Sequence, residues 1–451
     1  MWIERLLFRK VELWAVALLL VLAALLVIGL AAVVYDTTKG KARFGALGTA
    51  SVHLARAPWT FEEMRNEDTR TLALEPGRFD GPGGWWIEDG EVGADIPGYV
   101  LVSRHDGDAG RHVIEMYDLS DFSLVHRWWP DAETLLADAR RDWAWMDYTG
   151  WRRSAWRAIH PLLLENGDLI VKDHYSPLLR VSACGDRVWL KDDVYYHHST
   201  EPDGAGGFWI PTAAAPSDLP GVEEWFIDDT LTRMSHDGTV TFARSLPEIF
   251  IENGLRHRIF AAGLHANDPL HLNDIEPVLA DGPFWRKGDL FLSLRRYSMI
   301  VLYRPGTDEI VWMQEGPWMD QHDVDVIDDH TIAVFNNNTA NTGRGARVEG
   351  ISEVLFHDFE TGQTTSPFRE TLETYAVRTP TEGLFDILPS GHLLLEEENA
   401  GRLLLFSPEG AFVAAFVNND AARAAHRMGW SRYVPEELGQ RALPALDCSS
   451  R

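Results

Sequence analysis

Cysteine is nearly absent: Cys184 and Cys448 are the only two in 451 residues. So few thiols exclude a disulfide framework or a multi-cysteine zinc module. Positive charge is also scarce, with 41 Lys and Arg against 68 Asp and Glu, a net charge of −27. That balance denies the chain the cationic face that nucleic acid or anionic lipid requires, while leaving room for a local basic pocket for a small anion. Walker and Rossmann glycine patterns, G-x-S-x-G, H-E-x-x-H and the acidic calcium loop are all missing. No motif therefore points to nucleotide binding, an elbow serine or a familiar metal loop. Aromatic residues are plentiful (18 Trp, 20 Phe, 11 Tyr), which excludes low-complexity disorder.

Charge disappears altogether between Leu13 and Tyr35, in the run LWAVALLLVLAALLVIGLAAVVY. About 23 apolar residues at 1.5 Å each cover the hydrocarbon core, so the run predicts one transmembrane helix. It exceeds the usual length of a cleaved signal core, and no clear small-x-small site follows. Arg5, Arg9 and Lys10 flank one end and Lys39, Lys41 and Arg43 the other, so the positive-inside count is nearly tied.

Two patterns alternate along the rest of the chain. One is a glycine-marked turn and an apolar strand, as in PGYVLVSR, NGDLIVKD, DGAGGFWIP, KGDLFLSLR, DDHTIAVFN and SGHLLLEEE. The other is a strand–turn–strand hairpin, with turns near 120, 185, 238, 307, 361 and 410. A hairpin recurring roughly every 60 residues suits a four-stranded blade with insertions. The expected fold is all-β, a six-bladed β-propeller. The expected boundaries are an anchor over 1–36, a linker and lead-in over 37–96, the propeller over 97–418 and a helical tail over 419–451. A lead-in of this kind would add a strand or cover a sheet edge. DAETLLADARR from Asp131 predicts a short helical insert, and NDAARAAHRMGW from Asn419 a helix in the tail.

A propeller gathers its sites on the central channel. Four polar groups stand at the same place in their repeats, shortly before a strand of the first pattern. They are His197-His198, His271-Leu272-Asn273-Asp274 with Arg295 and Arg296 following, Gln321-His322-Asp323, and Thr379-Pro380-Thr381-Glu382. Adjacent strand residues point to opposite faces, so at most one ring of His197-His198 is expected to face the channel. Each of these side chains taken singly is as readily an ordinary hydrogen-bonded residue. Histidines from three blades meeting at zinc, and an acidic pair among Asp323, Asp325 and Glu276, stay open.

His198 before DGAGGFWIP, H-x-N-D at His271, S-x-R ending at Arg295, W-x-x-x-x-GPW from Trp312 to Trp318, and Q-H-D at His322 follow one order. In that order they resemble the arylsulfotransferase family, six-bladed propellers that pass a sulfuryl group between phenols without a nucleotide donor. The resemblance spans roughly Val113 to Phe416 and is best from His265 to Asn338. It implies that His322 is transiently sulfated, that His198, His271 and Arg295 share the catalysis, and that Asn273 and Thr381 bind substrate. It implies no cofactor and no metal, an aryl sulfate donor and a phenolic acceptor, and a propeller on the periplasmic side of the inner membrane. It leaves a homodimer open. The family's disulfide has no counterpart in the corresponding stretch. Two other readings stay on the table: a tethered binding propeller for an anionic envelope ligand, and a metal-assisted sulfate or phosphate ester hydrolase.

Overall fold

The structure is a computed structural model and describes residues 12–38, 43–55, 79, 81–88, 96–141, 148–214, 216–223, 226–261, 266–343 and 345–448. Arg5, Arg9, Lys10, Lys39, Lys41 and His265 lie outside these. The chain divides into two compact units, residues 1–70 and 71–451.

In the first unit, helix α1 (Leu13–Thr38) coincides with the uncharged run and buries none of its side chains. Its length and composition are sufficient to cross a membrane.

The second unit is a mostly β, propeller-like fold. A lead strand, β1 (Gly84–Ile87), comes first, then β2 (Tyr99–Asp106), β3 (Arg111–Asp118) and β4 (Leu124–Trp128). Next come β5 (Leu162–Leu163), β6 (Leu169–Val171), β7 (Ser176–Val181), β8 (Arg187–Tyr196), β9 (Glu201–Pro202), β10 (Gly207–Ala214), β11 (Asp228–Ser235) and β12 (Val240–Ser245). A four-stranded sheet follows: β13 (Leu272–Pro277), β14 (Leu290–Leu294), β15 (Met299–Arg304) and β16 (Glu309–Glu315). After it run β17 (Val324–Val326), β18 (Thr331–Asn336), a ribbon of β19 (Thr339–Asn341) and β20 (Ala346–Val348), β21 (Glu353–Asp358) and β22 (Thr364–Thr365). The last strands are β23 (Leu384–Ile387), β24 (Leu393–Glu397), β25 (Arg402–Phe406), β26 (Phe412–Val417) and β27 (Arg432–Val434).

Hydrogen bonding corrects the expectation of six blades. Four separate sheets have blade form: β27-β2-β3-β4, β13 to β16, β17-β18-β21-β22, and β23 to β26 with β1 added at its outer edge. The strands from β5 to β12 form one continuous eight-stranded sheet. The cause is local: Tyr195 and Tyr196 at the end of β8 pair with Ala213 and Thr212 of β10, so two repeat units share one ladder.

Hairpin turns fall where their chemistry predicts, since Gly185 and Gly238 adopt φ of 89° and 86° between β7–β8 and β11–β12, a region closed to most side chains. Apolar side chains between neighbouring sheets form the core, as where Trp285, Phe291, Leu302 and Val334 meet.

Two helical expectations shrink. The insert keeps one turn, α2 (Ala132–Leu135), and Asp131 makes no side-chain cap. Its carboxylate binds Arg153 instead. Among the described residues of the tail, α3 (Glu436–Ala442) is the one α-helix, while 419–431 runs as a turn and isolated bridges before β27. Alanine-rich propensity loses there to tertiary bonds: Asn418 Nδ2 donates to the carbonyls of His105 and His426, and β27 pairs with β2. The late strand thus closes a sheet begun more than 300 residues earlier. Cys184 and Cys448 are joined in a disulfide with Cα atoms 5.7 Å apart.

The strands nearest the channel are also not those of the glycine-marked pattern. They are the edge strands β5, β9, β13, β17, β23 and β27, and from β9 onward they are stitched to one another by side chains. Ser199 Oγ accepts from Ile275 N–H, Asp274 Oδ2 from Val324 N–H, Asp323 Oδ2 from Phe385 N–H and Asp386 Oδ2 from Tyr433 N–H. Backbone donors on these inner strands would otherwise be buried without partners.

Candidate functional site

Just ahead of the inner strands the chain repeatedly enters the left-handed region at non-glycine residues: His198 (φ 50°), His271 (55°), Asp320 (56°), Glu382 (57°) and Trp430 (62°), with His160 (49°) ahead of β5. Each such residue costs of order 1–3 kcal/mol, and strain of this kind concentrates at functional sites. Here it turns one side chain per unit inward.

His198, His271 and His322 meet. The His198 ring centroid lies 5.3 Å from that of His271 and 6.5 Å from that of His322. His198 and His322 are 5% and 1% exposed. Asn273 donates through Nδ2 to the carbonyl of Gln321, beside His322, and its Oδ1 has no partner. Arg295 begins a 3-10 turn after β14, and its Nη2 lies 3.2 Å from Asp320 Oδ2, two residues before His322. Thr381 is turned elsewhere: its N–H and Oγ1 both bond to Asn399 Oδ1.

Bonding fixes the His322 tautomer. Nδ1 lies 2.7 Å from Asn337 Oδ1 and 3.2 Å from the carbonyl of Asp320, both acceptors, so it carries the proton. Asn337 cannot be turned over, because its Nδ2 donates to the carbonyls of Thr379 and Glu382. The lone pair is therefore on Nε2, which accepts the Glu382 N–H at 2.9 Å. Burial and then the Arg295 charge push His322 down to about 3, so the ring is neutral throughout the physiological range.

Several residues that the sequence did not single out complete the site. Trp430, 1% exposed, touches the rings of His160, His174, His198 and His322 at centroid distances of 5.8–6.2 Å. Its indole N–H has no hydrogen-bond partner. Arg157 grips Glu382 through two parallel bonds of 2.9 and 3.0 Å and reaches Glu398 at 2.6 Å. His174 adds a contact to Glu382 at 3.3 Å. Burial alone would raise the Glu382 carboxyl, but Arg157 and then His174 hold it well below the usual range. Lys172, wholly buried and pushed down by burial to about 7, donates to the carbonyls of Ile159 and His198. That bond braces the left-handed turn at His198.

His197 lies directly behind His198. Both rings of the pair are buried, and Nδ1 of His197 meets Nδ1 of His198 at 2.7 Å. His160 and His174 could have been found by carrying the repeat register back one unit. Arg157, Lys172 and Trp430 gave no such signal.

The acidic residues lie farther along the same strands. Burial first, then mutual repulsion, raises Asp274 to about 8 and carries Glu276, Asp323 and Asp325 well above the usual range. Asp274 and Asp323 spend an oxygen on strand stitching, which is a structural role. Among the described residues, the group spaced to hold a metal ion is Asp328, Asp329 and His330, on the exposed turn between β17 and β18. It does not include His198, His271 or His322.

Fold and site together define a propeller-like β protein with a histidine-lined centre assembled from several sheets. The arylsulfotransferase (ASST) family pattern matches residues 160–419, more than half of the chain. The chain belongs to that family. No curated protein matches it. Among solved structures, a protein of unknown function from Bacteroides caccae is 12% identical, with a TM-score of 0.47 over 75% of this chain and 99% of that one. Hydrazine synthase from Kuenenia stuttgartiensis is 10% identical, with a TM-score of 0.37 over 72% and 80%. Virginiamycin B lyase from Staphylococcus aureus is 12% identical, with a TM-score of 0.33 over 59% and 72%. Likenesses this distant carry no functional argument.

Proposed function

We propose that the protein transfers a sulfuryl group from an aryl sulfate ester to a phenolic acceptor through a covalent intermediate on His322. The observation that carries this reading is the state of His322, a buried neutral imidazole with its proton held on Nδ1 by Asn337 and its lone pair on Nε2. A neutral imidazole is a competent nucleophile where an unactivated hydroxyl is not. Attack of Nε2 on sulfur releases the aryl oxygen, and the acceptor oxygen then attacks the same sulfur. His198 protonates the first oxygen and deprotonates the second. Arg295, His271 and Asn273 hold the sulfuryl oxygens, for which a planar permanent cation and directed donors are suited. Thr381 acts at one remove, by positioning the Thr379–Gly383 segment. Helix α1 serves as a membrane anchor, with the propeller outside the cytoplasm. The Cys184–Cys448 disulfide supports that side, since such bonds persist in oxidising compartments.

The Glu382 N–H on Nε2 favours a second reading. An imidazole bonded at both nitrogens suits a binding propeller that recognises an anionic ligand without chemistry. Purified protein with 4-nitrophenyl sulfate and a panel of phenols separates the two. Release of 4-nitrophenolate, a sulfated acceptor and a roughly 80 Da addition on His322 are expected of a covalent sulfuryl intermediate. Binding of the donor without release supports the second reading.

A further inference from the structure

We infer that His197 and Asp229 form a proton relay behind His198, so that the acid–base step ends on a buried carboxyl group rather than on an imidazolium. The inference rests on the sulfuryl-transfer reading above.

The geometry is a line of three buried groups. His198 Nδ1 meets His197 Nδ1 at 2.7 Å. On the far side of that ring, His197 Nε2 lies 3.4 Å from Asp229 Oδ1. Neither of these two atoms has a hydrogen-bond partner, and catalytic bonds are often long before substrate binds. His197 and Asp229 are 0% and 1% exposed. Tyr175 stacks on His197 at 4.9 Å and fixes the plane of the ring. Asp229 Oδ2 accepts the Leu272 N–H, which ties the carboxylate to the strand that follows His271.

The line solves a problem set by burial. Burial and then His174 push His198 well below 6.5, and burial and then His271 push His197 down to about 3. Neither ring can store a proton as a cation near neutrality. Asp229 can: burial and then Asp268 carry its carboxyl well above the usual range. The charged and titratable groups facing the line are Asp228, Asp268, His271 and Tyr175 around Asp229, His271, Asp268, Lys172 and Tyr175 around His197, and His174, His271, His322 and Tyr175 around His198.

The proton count closes. Before donor binding, Asp229 is protonated, His197 carries its proton on Nδ1 and His198 on Nε2. When His322 Nε2 bonds to sulfur and the aryl oxygen leaves, that oxygen takes the His198 Nε2 proton. His197 Nδ1–H passes to His198 Nδ1, and Asp229 O–H passes to His197 Nε2. Both rings stay neutral, and the ester's negative charge now balances as an ionised Asp229. In the second half, His198 Nε2 takes the acceptor's proton and each transfer reverses, as the acceptor oxygen displaces His322 from sulfur. His197 and Asp229 touch no reacting atom and are positioning residues.

Leaving-group chemistry tests this, because a weakly basic phenolate departs without a proton and a strongly basic one does not. Single-turnover labelling of His322 would be measured with 4-nitrophenyl sulfate and with phenyl sulfate, for wild type, Asp229→Asn and His197→Gln. General acid catalysis contributes about 10²-fold or more, so each variant should slow phenyl sulfate at least about 30-fold more than 4-nitrophenyl sulfate. An equal loss on both donors, complete loss included, or no loss on phenyl sulfate overturns the relay and leaves sulfuryl transfer standing. A wild-type protein inert to both donors overturns both. If Asp229→Asn gives no cooperative melt, His197→Gln decides.

Discussion

Along the inner strands, imidazoles come first and carboxylates follow. His271 precedes Asp274 and Glu276, His322 precedes Asp323 and Asp325, and His198 precedes Glu201. Burial acts on both layers toward neutrality, pushing His198 and His322 down and Asp274, Glu276, Asp323 and Asp325 up. What differs is where the polar atoms go. Asp274, Asp323 and Asp386 give an oxygen to a backbone N–H of the next inner strand. The imidazoles divide their bonds between backbone and side chains: His198 meets His197, and His271 meets Asp268, while His322 meets Asn337 and also accepts the Glu382 N–H.

The largest break in this comparison removes the proposed nucleophile. His322→Ala should lower 4-nitrophenolate release by about 10³-fold or more while leaving the melting curve cooperative. Second in size is Arg157→Met, which takes the guanidinium from between two buried carboxylates beside the imidazole layer and leaves Glu382 only His174, and Glu398 only Arg427 and Asn399. It should cost about 3–5 kcal/mol in a denaturant titration. Asp323→Ala attacks the acidic layer instead and leaves the Phe385 N–H without its acceptor. About 1–3 kcal/mol should be lost, and Asp323→Asn, which keeps an accepting oxygen, should lose less.

The smallest effect is a change of slope with pH. Asp274 has its folded pKa raised from 3.8 to about 8. The folded state therefore binds more protons across that window, and this group's contribution falls as pH rises through it. His322 and His197, lowered to about 3, work in the opposite sense. The unfolded chain takes up their protons below 6.5, so their contribution falls as pH drops from there toward 3. Melting temperature should pass through a maximum between the two limbs. Asp274→Asn should flatten the alkaline limb between pH 6.5 and about 8 and steepen the acid limb between 3.8 and 6.5, where the two windows overlap and oppose each other. A parallel shift of both limbs would break the distinction between the layers.

Turn chemistry made the hairpins readable, because D-G and E-G between apolar runs fix both the turn and the register. The innermost strands were not readable. Segments such as Leu162–Leu163 and Val324–Val326 are short, and their channel-facing side chains break the alternation that marks a strand. The merger at β8 and β10 left no trace either, since a shared ladder is a matter of backbone approach. His198, His271 and His322 were legible through their common place in the repeat. Trp430 was hidden inside a helical composition, and its position is dictated by Glu396, which accepts the N–H groups of Trp430 and Ser431. The disulfide joins residues 264 apart, a separation from which no pairing can be read.

Closure by β27 sets a condition on biosynthesis. Trp430, the shared wall of four histidines, and the strand that seals β2 both lie on a stretch translated after every other part of the site. A nascent chain that has not cleared the ribosome through Val434 carries all of its imidazoles yet lacks the indole against which four of them rest. Premature termination upstream would therefore leave the histidines without their shared indole and β2 without its partner strand.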